Sequence, residues 1–361
     1  SNLCHLCNLW ITACLFGTFF VLYGSHPMRT PLLSVLALAG LAAAADFPQP
    51  AATKPTEPLA KELSLAKAAE YLDGVGVNWT RDRGCITCHT NMPYLTARPL
   101  LKGDAGWKEV RKYLEDDVAS WSAGGNPKGD AYVVATAFAL AFNDAQQTGK
   151  LHDATKAALD RIWTVQKPSG EWDWLKCAWP PLEHDDYYGA ALAALAVGYA
   201  PGEYATSDAA KAGVEKLRAY LTKTPPPDLH HTAMLVWASA KLDGLLTPAA
   251  RQKAGAALAA KQRKDGGWSL PSLGEYKRRD KDRTPNDPDS DSDGYGTGFV
   301  TYVLVQAGAK PSDPVVANAV RWIKANQRES GRWFTRSLNN DKAHYIANAG
   351  TAFCVLALAA A

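Results

Sequence analysis

The chain has 361 residues, of which 47% are hydrophobic and 21% charged, with 12 Trp; this composition can bury a large core and excludes a disordered polymer. Its formal net charge of +3 is spread without a Lys/Arg-rich stripe, so the footprint needed to neutralise nucleic-acid phosphates is missing. A chain of this length holds either two domains or one array of repeated units, and internal repetition decides between them.

Taken in chain order, Met28 and Arg29 open a short basic start, residues 32–41 form an apolar run too short to span a bilayer, and Ala43-Ala44-Ala45 supplies small residues for cleavage before Asp46. This pattern predicts a secretory signal peptide over residues 28–45, and with it export to a periplasm or cell surface. Residues 1–27 precede a complete signal and read as a wrongly extended start, with a membrane segment over residues 9–23 as the alternative. Residues 46–60 are rich in Pro, Ala and Thr and predict a solvated linker. The folded part is expected over residues 61–361.

The first repeated unit pairs an outer helix over residues 61–72 with an inner helix over residues 90–101, and the loop between them carries Cys85-Ile86-Thr87-Cys88-His89. In a CxxCH pentapeptide two thiols can add to the vinyl groups of a heme while the adjacent imidazole becomes an axial iron ligand. The export signal supports heme c at Cys85, Cys88 and His89, because this attachment is completed outside the cytoplasm in bacteria. A Cys85–Cys88 disulfide and a zinc site remain as alternatives. Cys177 and Cys354 stand singly, and Cys354 falls in an apolar helix where a buried structural thiol is common.

The same template gives outer and inner helices over residues 107–121 and 130–142, and again over 208–221 and 228–242. Three further outer helices, over residues 155–165, 249–261 and 314–326, each run into a QxxxGxW segment: Gln166, Gly170 and Trp172; Gln262, Gly266 and Trp268; Gln327, Gly331 and Trp333. Their inner helices are expected near Asp185, Asp293 and Asp341. Six hairpins can close a ring in which uniformly apolar inner helices surround an axis, amphipathic outer helices face water, and inner-helix N-termini rim one mouth.

The three QxxxGxW segments resemble the QW motifs of squalene-hopene cyclases, oxidosqualene cyclases and protein prenyltransferase beta subunits. The resemblance covers residues 61–361 and implies an all-α (α/α)6 toroid with a central apolar cavity. Glu183-His184-Asp185-Asp186 is similar to the DxDD motif of squalene-hopene cyclases, with Glu183 for the first Asp and Tyr187-Tyr188 where Thr-Ala is usual. That similarity implies Asp185 as the catalytic acid of a terpenoid cyclase-like enzyme. The alternative is helix capping, as expected at Asp130, Asp228 and Asp293. The prenyltransferase zinc set is matched in part by Asp293 and His344, but Tyr295 stands where its Cys belongs. Asp289 to Gly294 has the first half of a calcium loop, yet Val300 occupies the twelfth position and a solvated turn is the better reading.

A sixth iron ligand is sought at the rim among His184, His230, His231, His344, Met92 and Met234. His231 and His344 are preferred, since both stand near starts of other inner helices; Met92 is too close to His89 to reach the opposite heme face. Residues 277–292 form a charged insertion that could fold over the mouth. Phe138, Tyr188, Trp237, Phe299, Tyr302 and Phe353 are inner-helix aromatics that suit a heme, an isoprenoid or simple core packing. The leading expectation is an exported heme-c toroid that exchanges electrons with a partner or carries out redox chemistry on an apolar ligand. A terpenoid cyclase-like enzyme and a non-catalytic repeat scaffold are the alternatives.

Overall fold

A computed structural model describes residues 46–361 other than 123–126, 182–183 and 280–285. The expectations for residues 1–45, for Glu183 and for the middle of the charged insertion lie outside the described residues. No described helix is long and apolar enough to cross a membrane.

Twelve α-helices alternate outer and inner among the described residues. They are α1 (Leu65–Arg83), α2 (Asn91–Ala97), α3 (Ala105–Ser122), α4 (Asp130–Gln147), α5 (Asp153–Thr164), α6 (Asp186–Tyr199), α7 (Lys211–Lys223), α8 (Leu229–Ser239), α9 (Pro248–Ala259), α10 (Gly294–Gln306), α11 (Pro314–Ala325) and α12 (Ile346–Ala360). The even-numbered helices pack each on the next, and α12 packs on α2, so the inner ring closes. This is the (α/α)6 toroid that the repeats predict.

Residue spacing explains the two layers. On α5 the buried positions are Thr155, Ala158, Leu159 and Ile162, one stripe at helical spacing that leaves the rest to water. On α6, by contrast, every residue from Tyr187 to Val197 is buried. Asp185, Asp228 and Asp293 cap α6, α8 and α10, each accepting from the backbone N–H three residues on. The last inner helix departs from expectation. It starts at Ile346 rather than near Asp341, because Asp341 is held outside the helix by Arg336 and Arg278.

The three QxxxGxW segments share one geometry. Trp172, Trp268 and Trp333 are fully buried, and their indole N–H groups donate to the carbonyls of Ile162, Leu258 and Ile323 in the preceding outer helices at 2.8, 2.9 and 2.8 Å. Each Gln amide bonds the Gly carbonyl of its own motif and one carbonyl of the next hairpin: Gly213, Val315 and, across the ring seam, Ser64. The motif glycines have φ of 110°, 95° and 93°, and a Cβ on any of them would run into the backbone of the following outer helix.

Residues 47–60 form no helix and stay exposed or half-buried, and they are tied to the ring at several points. Glu57 pairs with Arg332 at 2.9 Å and accepts from Ser330 N, Leu59 bridges to Arg328, and Pro48 and Pro50 pack on Gly74. Polar backbone groups that composition assigns to water are satisfied here by the last repeat, and the strap straddles the seam. The axis also differs from the open cavity that the resemblance implies. Phe138, Phe142 and Phe353 meet Trp237 edge-to-face at 5.7, 6.4 and 6.1 Å, and Phe299 meets Phe353 at 5.1 Å. These rings fill the centre and leave room for about one water beside Cys88 and Tyr188.

Candidate functional site

Two groups of chemistry-bearing side chains meet at the mouth of the ring, and Tyr188 and Tyr295 stand between them. The first is the turn from α1 to α2. Gly84 ends α1 in a left-handed conformation with its N–H on the Thr80 carbonyl, as a helix stop requires. Asn91 then pins the turn: its amide donates to the Cys85 carbonyl at 2.8 Å and to Thr80 Oγ1, while its oxygen accepts from Thr87 N at 2.7 Å. Cys85 and Cys88 stand as thiols. Cys88 faces the axis with Met92, Tyr188 and Tyr295. Cys85 lies near Trp79, Lys128 and Arg83; burial pushes its thiol up, and those three groups oppose the shift.

His89 lies between Trp79, edge-on at 4.9 Å, and Tyr345, stacked at 5.4 Å. Burial lowers its imidazole to about 4, so the ring is neutral at physiological pH. Its Nδ1 is hydrogen-bonded to Thr90 Oγ1 at 2.7 Å, Thr90 accepts from Asn348 Nδ2 at 3.0 Å, and Asn348 accepts from Tyr71 at 2.5 Å. A neutral imidazole oriented through one nitrogen keeps the other for a metal.

The donor set therefore suits a heme. It offers two thiols and an oriented neutral imidazole on one pinned turn. Beside it, the Trp79 indole lies against Cys85, and Arg83 lies over the Trp79 ring at 5.7 Å.

The second group comes from the N-terminal ends of α6 and α8. His231 Nδ1 donates to Asp228 Oδ1 at 2.7 Å and its Nε2 donates to Asp185 Oδ1 at 2.9 Å. Burial opposes charge on this ring, but the two carboxylates outweigh it and raise His231 to about 9. Burial likewise pushes Asp185 and Asp228 up, and the histidines override it and hold both below the usual carboxylate range. His184 packs on His231 with centroids 3.8 Å apart. His230 bonds Tyr295 through Nε2 at 3.0 Å, and burial drives this imidazole far below its usual range.

This geometry bears on three of the expected site residues. Asp185 caps α6 and pairs with His231, its Oδ1 accepting from both Tyr188 N and His231. His231 has Nδ1 on Asp228 and Nε2 on Asp185. His344 is apart from this cluster: its Nδ1 accepts from Ser337 N at 3.1 Å and its ring lies against Phe334. Asp293, matched to a zinc ligand by the prenyltransferase resemblance, is surrounded by donors from Gly296 N, Leu270 N and Thr335. The described ends of the charged insertion lie over the mouth, where Trp179 donates to the Lys277 carbonyl and Arg279 covers the Trp179 ring. Sequence reasoning missed Tyr276 and the Tyr71–Asn348–Thr90 relay; the Asp228-x-x-His231 spacing at a helix start was the one local signal of the ion pair.

No protein-family model and no curated protein matches the chain. Solved structures with a similar fold include ent-copalyl diphosphate synthase from Streptomyces platensis, at 17% identity and a TM-score of 0.48 over 75% of this chain and 50% of that one. A polysaccharide lyase aligns at 14% identity and a TM-score of 0.48 over 82% of this chain and 96% of its own. A possible member of the GH105 family from Salmonella enterica serovar Paratyphi A aligns at 15% identity and a TM-score of 0.46, over 74% and 80% of the two chains. The chain thus spans about half the length of the synthase.

Proposed function

We propose that this toroid carries one covalent heme c on Cys85, Cys88 and His89 and serves in redox chemistry outside the cytoplasm. The observation that carries the reading is the pinned CxxCH turn, with a neutral His89 oriented by the Thr90–Asn348–Tyr71 relay. In this reading Cys85 and Cys88 would hold the heme through thioether links, His89 Nε2 would ligate its iron, and Thr90 holds the opposite ring nitrogen. A heme there supplies a one-electron couple, whose partner is either an electron-transfer protein or a reducible ligand at the mouth. The terpenoid cyclase-like alternative needs a protonated Asp185 and an open apolar cavity. Its support is the toroid itself, and the ion pair with His231 and the filled axis weigh against it. A scaffold without cofactor is the remaining alternative.

The test is heme staining after denaturing electrophoresis of protein matured in a bacterial periplasm, with absorption spectra of the intact chain. One covalent heme is expected in the parent, and none in the Cys85→Ala/Cys88→Ala double variant. A parent chain that folds and leaves the periplasmic maturation without covalent heme overturns the reading. A low-spin spectrum that one rim substitution converts to high spin would identify a sixth ligand, with His344→Ala the first to examine.

A further inference from the structure

The second cluster at the mouth has polar atoms that its own hydrogen bonds leave unused. His184 is 4% exposed and His231 fully buried. His184 Nδ1 and His230 Nδ1 have no hydrogen-bond partner among the described residues, and His184 Nε2 and the Tyr276 hydroxyl have only the Asp228 carboxylate beside them. A buried polar atom that nothing ever engages costs about 1–3 kcal/mol. His184 Nε2 lies 3.5 Å from Asp228 Oδ2, and His231 Nδ1 lies 2.7 Å from Asp228 Oδ1. Single ligand atoms of His184, Asp228 and His231 all fall within 4.8 Å of one another.

We infer that His184, Asp228 and His231 form a binding site for a divalent transition-metal ion of the zinc class, with Asp185 as the carboxylate that orients His231. Two imidazoles and one carboxylate are the donors such ions take, and ligand atoms bonded at about 2.0–2.2 Å in a tetrahedral set stand roughly 3.3–3.6 Å apart. The His184–Asp228 separation of 3.5 Å already matches that spacing. The ion replaces the proton on His231 Nδ1, which leaves to solvent. His231 Nε2–H keeps its bond to Asp185, giving the carboxylate–histidine–metal arrangement that fixes the ring of a ligating histidine. Three protein ligands leave one position for water or a ligand. The partly exposed carboxylates, with side chains 36% accessible at Asp185 and 18% at Asp228, supply the entry path from the mouth.

This site does not depend on the heme reading, and the Cys85→Ala/Cys88→Ala chain should retain it. The experiment is titration of the full chain, stripped by chelator and dialysed, with Zn2+ by calorimetry and with Co2+ by absorption. One equivalent should bind, and cobalt should give ligand-field bands with no thiolate-to-metal charge-transfer band. Asp185→Asn should weaken binding about 10- to 100-fold, and His184→Ala or Asp228→Asn by more, with native circular dichroism in each. A thiolate band that vanishes in Cys85→Ala/Cys88→Ala would put the metal on the cysteine turn and overturn the assignment. So would a folded parent chain that binds neither ion, or binding left unchanged in His184→Ala and in Asp228→Asn.

Discussion

Gln327 bridges the seam between the last and first hairpins, and Gln327→Ala tests that the ring is closed there. Gln327 Oε1 accepts from Ser64 N at 2.7 Å, and its Nε2 donates to Ser64 O and to Gly331 O, both at 2.9 Å. Gln262 makes the interior equivalent with two bonds, to Gly266 O at 2.8 Å and to Val315 O at 2.7 Å. At about 0.5–1.5 kcal/mol net per hydrogen bond, the closed ring predicts a loss of about 2–4 kcal/mol for Gln327→Ala and about 1–3 kcal/mol for Gln262→Ala. In an open array only the Gly331 bond of Gln327 would remain to be lost, about 1 kcal/mol. The assay is urea unfolding followed by circular dichroism, with both variants compared at equal slope so that a midpoint shift reports stability. A Gln327→Ala loss below that of Gln262→Ala, and no larger than the open-array figure, would refute closure at this seam.

Two further outcomes follow from backbone and burial. Gly331→Ala should cost clearly more than Gly308→Ala, read by the same urea midpoints. Both glycines have positive φ, 93° and 106°, but a Cβ at 331 would meet the Lys67 backbone and Ala68 N at 2.8 Å, whereas nothing lies within 4 Å of one at 308. The exposed site should therefore lose only the left-handed backbone term of about 1–2 kcal/mol. Asp293 is raised to about 6 by burial, which outweighs the N–H groups of Gly296 and Leu270 and the Thr335 hydroxyl. A carboxyl whose folded pKa is raised contributes stability that is present below its unfolded pKa, near 3.9, and lost as pH rises through about 6. The stability of the parent relative to Asp293→Asn should accordingly fall between pH 4 and pH 6.5; a flat or rising difference would show that the donors hold the group ionised throughout.

The sequence by itself determined the toroid, because its evidence is local and repeated. The 3.6-residue stripe of α5, the all-apolar run of α6 and the Gln, Gly and Trp of three motifs each act within one hairpin or on the next, so spacing alone specifies them. The CxxCH turn was legible for the same reason: Cys85, Cys88 and His89 are neighbours in the chain. Helix-start carboxylates were legible too, since an N-cap bonds a backbone group three residues away, as Asp185 and Asp228 do. Tertiary structure alone decided what those caps do with their remaining atoms. Asp185 and His231 come from different hairpins, 46 residues apart, and the packing of α6 on α8 brings a candidate acid and a candidate iron ligand into one ion pair. Distance in sequence likewise hid the Asn348–Thr90 relay across the seam, the strap of residues 47–60 on Arg332 and the filling of the axis by aromatic rings from several helices. Composition can say that a side chain is able to pair, but only the fold, which removes water and fixes neighbours, selects the partner.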